Sequence, residues 1–251
     1  MECRPGTAAA AAVVIGVTIV LALRGLGRTP LPGGEPGPAA PFIGPRVRVW
    51  YRGLFGPLED WLASIGARPD HLTYGQLVVS VLAGAAFAVG AVFLAGWLTI
   101  LAGTLDILDG GLARRTGQAS PRGAFVDSVV DRWAEFATFV GLGVLFRDGW
   151  MLAVVAMAAF ASQMVSYVRA RAEGLGVEIT AGRAQRPERY VILGFGAWIS
   201  GLVAHLLCPL LGRETHVVLA LAVCLLAATA TWTAAERARQ AATALRQRSA
   251  S

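Results

Sequence analysis

Long apolar stretches dominate this sequence of 251 residues and limit the folds that it can form. Six of them follow one another, and each is close to the roughly 20 residues that an α-helix needs to cross a bilayer. Hydrophobic residues make up 55% of the chain and the mean hydropathy is +0.58, which is high for a soluble domain. The sequence therefore predicts an all-α, polytopic membrane bundle of six core transmembrane helices. The predicted spans are residues 72–92, 94–113, 123–146, 150–170, 189–208 and 216–235.

The segments outside this core differ from it in composition. Residues 1–44 contain an apolar run at 7–23, followed by a linker rich in proline and glycine. The run suits a signal peptide, an anchor or an extra span, and the sequence does not decide among them. Residues 45–68 predict an amphipathic helix in the membrane interface, interrupted near Gly56 and Pro57, although an ordinary packed helix is the alternative. Residues 69–235 form the predicted membrane domain, and residues 236–251 are expected to be a basic, solvated tail.

The distribution of basic residues predicts the orientation. All 22 basic residues are arginines, and they collect in alternate segments between the spans, whereas the opposite side carries only Arg147 and Arg213. By the positive-inside rule, the arginine-rich side and the C-terminal tail face the cytoplasm of a cell-membrane protein. Because the arginines lie in short loops rather than along one soluble face, the net charge of +6 does not indicate a nucleic-acid partner.

Four aspartates lie at the predicted cytoplasmic ends of two consecutive spans. Asp106 and Asp109 are three residues apart, and Asp127 and Asp131 are four apart, so each pair shares one helix face. Two antiparallel helices with a short connection would bring all four together. Carboxylates so close to hydrocarbon are costly unless cations neutralise them, and their hard oxygen atoms suit Mg²⁺ or Mn²⁺. The spacing therefore predicts a divalent-metal site that faces the cytoplasm.

Small and basic residues flank this acidic group. Gly110, Gly111 and Ala113 leave space that either admits a ligand or lets two helices pack closely. Arg114 can reach a phosphate among the metal ions, or it can act as an interfacial anchor. The stretch from Ser120 to Gly123 has the start signals of a helix, with free backbone amides.

The residues from Asp106 to Asp131 follow the pattern D-x2-D-G-x2-A-R-x8-G-x3-D-x3-D. This pattern resembles the signature of the CDP-alcohol phosphotransferase, or phosphatidyltransferase, family at every fixed position. The resemblance implies that all four aspartates bind two divalent ions, that Asp131 also accepts the proton of the acceptor hydroxyl, and that the substrate is CDP-diacylglycerol in a homodimeric enzyme among membrane lipids. The residues that it implies for the CDP-lipid are Pro69, Asp70, His71, Leu72, Gly110, Ala113, Arg114, Ser120 and Gly123.

A second arginine-rich region indicates which alcohol accepts the phosphatidyl group. Its sequence, SYVRARAEGLG followed by RPER, resembles the family branch that makes phosphatidylinositol phosphate from inositol phosphate. Arg169, Arg171, Arg186 and Arg189 would then hold the phosphate of a phosphorylated polyol, because guanidinium groups near a helix start suit a dianion. Cytoplasmic loops also collect arginine for other reasons, so glycerol phosphate or another alcohol stays open as the acceptor.

Two functions other than this enzyme activity are alternatives: cation transport and a non-catalytic scaffold role. A cation transporter would also carry intramembrane carboxylates, but it predicts charges near mid-membrane and broken helices in repeated halves. A non-catalytic scaffold would not need four costly carboxylates. The clustering of the aspartates at one boundary favours the enzyme over both.

Overall fold

The computed structural model describes residues 45–179, 186–211 and 215–250. All regular structure in these ranges is helical, which confirms the predicted all-α class. The apolar run 7–23 and the linker after it lie outside the described residues. The helices are α1 Pro45–Ser64, α2 Pro69–Ala88, α3 Val92–Arg115, α4 Pro121–Leu145, α5 Met151–Glu173, α6 Arg186–Leu211 and α7 Val217–Ala250.

Among the helices of the described ranges, five are long and apolar enough to cross a membrane: α2, α3, α5, α6 and α7. The sequence predicts six spans, and α4 is the one that falls short. Its length is sufficient, but the charged residues Asp131, Arg132 and Glu135 lie in its central part, whereas the apolar stretches of the other five helices carry fewer charges. The charged residues of α4 therefore set it apart from the other long helices of the bundle.

Small residues allow the helices of the bundle to pack closely. α2 lies between α3 and α4, α3 also packs on α6, and α5 packs on α7. Where α2 meets α4, a Cβ atom added to Gly84 or to Gly141 would overlap the backbone of the opposite helix. Gly96 on α3 is similarly close to the backbone of α6 at Trp198. Such contacts are typical of membrane bundles, in which packing rather than water exclusion holds helices together.

The largest apolar cluster lies at one end of the bundle. It joins the C-terminal parts of α2 and α4 to the N-terminal parts of α3, α5 and α7, and its fully buried members include Phe87, Leu142, Leu219 and Val223. The carboxylates of α3 and α4 lie toward the opposite ends of their helices. Hydrophobic packing thus fixes one half of the bundle and leaves polar side chains to fill the other.

Helix α1 docks on the C-terminal end of α3. Glu59 is buried and accepts a hydrogen bond of 2.6 Å from Nε of Arg115, and its carboxylate occupies the space that a side chain at Gly111 would need. The predicted interruption near Gly56 and Pro57 is wrong, because the helix continues through both residues. A proline inside a helix removes one backbone hydrogen bond and can bend the helix without ending it.

The C-terminal segment is also more ordered than the predicted solvated tail. α7 continues to Ala250, and its last turns pack on the end of α5 and the residues that follow. Arg248 donates a hydrogen bond of 3.3 Å to the carbonyl oxygen of Leu175. The apolar residues in this contact are Ala172, Val177, Ile179, Ala241, Ala244 and Leu245.

Candidate metal and substrate site

A short turn between α3 and α4 places the two aspartate pairs side by side. Gly117 has a φ of +67°, a conformation that favours glycine, and it lets the chain reverse directly after α3. Ser120 then caps α4 by accepting a hydrogen bond of 3.1 Å from the amide of Gly123, with Pro121 in the first turn. The local sequence thus places the acidic C-terminal part of α3 next to the acidic N-terminal part of α4.

Three of the four predicted aspartates converge. Asp106, Asp109 and Asp127 each offer one carboxylate oxygen, and these oxygens lie within 4.8 Å of one another. Asp109 is buried, and the buried Oδ1 of Asp127 has no hydrogen-bond partner among the described residues. A buried carboxylate oxygen without a donor is costly unless a cation approaches it. The donor set therefore fits a hard divalent ion such as Mg²⁺ or Mn²⁺.

Asp131 lies beside this group rather than within it. It forms an ion pair with Nη1 of Arg186, and the same nitrogen lies 3.0 Å from Oδ1 of Asp106. Nε2 of Gln76 donates to Asp131 over 3.3 Å. The fourth aspartate is therefore connected to Asp106, one member of the converging group, through an arginine from α6.

Polar residues of α2 and α6 that lie outside the aspartate motif complete the site. Thr73 donates a hydrogen bond of 2.8 Å to Asp109. Gln76 is fully buried, and its amide also donates to the hydroxyl of Tyr190 over 3.1 Å. Thr73 and Gln76 are one turn apart on a predicted membrane span, and this pairing of polar residues is the signal that could have identified them.

The residues expected to hold the CDP-lipid lie around the starts of α2 and α4 and the end of α3. Pro69, Asp70, His71 and Leu72 form the first turn of α2, and Asp70 pairs with Arg122 at the start of α4 over 3.4 Å. The exposed Arg114 folds back over Gly110, where its Nη1 would be 3.3 Å from an added Cβ. Ala113 and Gly123 are half-buried between these elements, and the hydroxyl of Ser120 serves as the cap of α4.

The four arginines expected to bind the acceptor phosphate have different partners in the structure. Only Arg186 contacts the aspartates. Arg189 is 4% exposed and pairs with Glu135 over 3.0 Å, while its Nη1 donates to the carbonyl oxygen of Ser162. Arg169 pairs with Glu173 on the surface of α5, and Arg171 is exposed on the same helix. Arg189 thus links α6 to α4 and α5, and its contact with the acceptor phosphate stays a prediction.

Comparison with known proteins agrees with this geometry. The profile of the CDP-alcohol phosphatidyltransferase family matches residues 67–233. The phosphatidylinositol phosphate synthase of Mycobacteroides abscessus is 35% identical over 159 residues, which cover 61% of this chain and 72% of the relative. The archaetidylinositol phosphate synthase of Methanothermobacter thermautotrophicus is 32% identical over 160 residues, covering 64% and 79%.

Solved structures lead to the same family. The crystal structure of Mycobacterium tuberculosis phosphatidylinositol phosphate synthase with CDP-DAG bound matches with a TM-score of 0.62 and 27% identity, covering 74% of this chain and 92% of that one. The structure of the same enzyme with manganese and citrate matches with a TM-score of 0.64 and the same identity, covering 74% and 88%. Because the family profile spans most of the chain, including both aspartate pairs, this protein belongs to the CDP-alcohol phosphatidyltransferase family.

Proposed function

We propose that this protein transfers the phosphatidyl group of CDP-diacylglycerol to inositol phosphate in a metal-dependent reaction, which yields phosphatidylinositol phosphate and CMP. The observation that carries the proposal is the convergence of Asp106, Asp109 and Asp127, with Asp131 beside them, in the spacing of the family. The names of the relatives in bacteria and archaea support inositol phosphate as the acceptor.

The carboxylates of Asp106, Asp109 and Asp127, joined by Asp131, are the residues that would hold two divalent ions. When bound there, Mg²⁺ or Mn²⁺ supplies positive charge to the pyrophosphate and to the departing CMP. The manganese in the M. tuberculosis structure supports this assignment. Thr73 orients Asp109 through a hydrogen bond from a neutral hydroxyl, so it adds no charge that would compete with a cation.

Asp131 is the residue that we assign as the proton acceptor for the attacking hydroxyl. It is 6% exposed and lies on α4 one turn after Asp127, next to the group that would hold metal. Gln76 donates to Oδ1 of this carboxylate, which fixes its orientation toward an incoming acceptor. A positioned base of this kind contributes by taking the proton as the new phosphoester bond forms.

The first turn of α2 and the turn from α3 to α4 are the elements that we assign to the nucleotide end of the lipid substrate. Asp70 and Arg122 join these two elements. Gly110 leaves space beneath the guanidinium of Arg114, which is then available to the phosphates. The acyl chains of the substrate can stay in the bilayer, alongside the apolar outer faces of the helices.

The phosphate of the acceptor is assigned to Arg186, because among the four predicted arginines this one alone reaches the aspartates. Arg189 contributes indirectly, since its pair with Glu135 holds the start of α6 against α4. We assign this end of the bundle to the cytoplasmic side of the cell membrane, on the positive-inside rule, and expect a homodimer as in the family.

Release of CMP by the purified protein tests the proposal. The assay supplies CDP-diacylglycerol and Mg²⁺ in liposomes, with inositol phosphate, free inositol, glycerol phosphate or serine in parallel. Metal-dependent release with inositol phosphate is expected. Release with glycerol phosphate but not with inositol phosphate would support the same reaction with a different acceptor. No CMP release with any of the four alcohols would refute the function.

A further inference from the structure

Arg186 occupies a position between two predicted metal ligands on different helices. Its Nη1 lies 3.0 Å from Asp106 on α3 and also pairs with Asp131 on α4. The guanidinium lies 5.7 Å from the centre of the Tyr190 ring, and Nη2 is 3.4 Å from the hydroxyl of that tyrosine. The side chains of Arg186, Asp106 and Asp131 are 19%, 13% and 8% exposed, so solvent screens these ion pairs only weakly.

The contacts of the other two aspartates are different. Asp109 accepts from Thr73, and Oδ1 of Asp127 is without a hydrogen-bond donor. Within the described ranges, no arginine is within ion-pair distance of either carboxylate. One cation can therefore enter between Asp106, Asp109 and Asp127 at their free oxygens, whereas a cation that binds Asp131 must compete with a guanidinium.

We infer that Arg186 holds the place of the second divalent ion and that binding of this ion displaces its guanidinium from Asp106 and Asp131. A guanidinium and a divalent cation require the same carboxylate oxygens, and both cannot satisfy them at once. Arg186 is the first residue of α6, so its backbone stays at the helix start while its long side chain can move. The two ions then bind with different affinities, and the weaker one is the ion opposed by Arg186.

This displacement links metal binding to the acceptor, a step that rests on the proposed function. Once released, the guanidinium is free to bind the phosphate of inositol phosphate. Because linkage between two ligands is reciprocal, inositol phosphate must then strengthen the binding of the second ion. Arg186 would thus favour binding of the metal ions before binding of the acceptor. The acceptor alcohol then binds mainly when the ions needed for the reaction are in place.

Titration of the full-length protein with Mn²⁺, followed by electron paramagnetic resonance in detergent without lipid substrate, tests the inference. In Arg186→Gln, the affinity for the weaker ion should rise by about tenfold or more, the size expected when a competing charge-assisted contact is removed. The affinity for the tighter ion should rise less, because only Asp106 among its three expected ligands contacts Arg186. Arg239→Gln removes an exposed arginine of α7 and is the control for the loss of one positive charge. If Arg186→Gln does not fold, Arg186→Met is used in its place.

The second arm of the titration adds inositol phosphate at saturating concentration. It should tighten the weaker Mn²⁺ site of the wild-type protein and leave that of Arg186→Gln unchanged. Unchanged or weaker Mn²⁺ binding in Arg186→Gln would overturn the inference. Because these titrations need no turnover, a protein that releases no CMP but shows the predicted gain in Mn²⁺ affinity would separate failure of the proposed function from failure of this inference.

Discussion

The carboxylates of the site are supported by two kinds of donor. Thr73 and Gln76 are neutral, buried in α2, and each donates to one aspartate. Neutral donors fix the direction of a carboxylate but leave its charge in place, so the oxygens can still attract a cation. Arg186, in contrast, neutralises part of that charge and must move if metal is to take all four aspartates. Positioning and charge compensation are thus provided by different residues.

Replacement of Asp131 by asparagine tests its role as proton acceptor. The amide has a similar shape but cannot take a proton, so the turnover number for CMP release should fall by about a hundredfold or more. Asp148→Asn, which changes an exposed aspartate in the turn after α4, is the matched control and should behave like the wild-type enzyme. Near-normal turnover in Asp131→Asn would show that another group accepts the proton.

Gln76→Leu tests whether Asp131 must be held in position. Loss of the hydrogen bond from Gln76 removes the neutral donor that orients this carboxylate, and we expect the turnover number to fall by about tenfold while KM for CDP-diacylglycerol changes little. Gln163→Leu removes a half-buried glutamine that donates to the carbonyl oxygen of Arg132, so it controls for the loss of an amide. Equal effects of the two substitutions on turnover would make the role of Gln76 a purely structural one.

At the scale of elements, the site depends on how closely α2, α3 and α4 approach one another. Gln76 can reach Asp131 only because Gly84 and Gly141, further along the same two helices, bring the backbones of α2 and α4 into contact. The ends of the helices away from the site therefore influence its geometry. Arg189 has a related effect, since its pair with Glu135 holds α6 beside α4.

Gly141→Ala tests this packing. A Cβ atom at this position would overlap the backbone of Gly84, so α2 and α4 must separate, and overpacking of this kind costs about 1–3 kcal/mol. Both the midpoint of thermal unfolding and the rate of CMP release should decrease. Gly143→Ala is the control on the same helix, because its Cβ would make an ordinary contact of 3.6 Å with Leu152. A Gly141→Ala protein as stable and active as Gly143→Ala would argue against the close helix contact.

For the whole molecule, the parts that could be predicted from the sequence are those that depend on local periodicity. Helix spacing places Asp106 with Asp109, and a short turn brings Asp127 to both, so the acidic cluster follows from residues close in sequence. The contact of Arg186 with Asp106 joins residues 80 positions apart and depends on the packing of α6, which no local pattern reports. The continuation of α7 could have been found, since Ala241, Ala244 and Leu245 recur at helical spacing.

Metal binding should stabilise the whole bundle, because the aspartates that would hold the ions come from two helices. A ligand that binds only the folded state at a hundred times its dissociation constant stabilises it by about 2.7 kcal/mol. Mn²⁺ should therefore raise the midpoint of thermal unfolding in detergent, and chelation should reverse the rise. Asp127→Asn removes one ligand of the predicted cluster and should abolish most of this shift, whereas Asp148→Asn should retain it in full. An equal shift in both variants would mean that Mn²⁺ stabilises the protein by binding at another site, and that Asp127 is not a ligand.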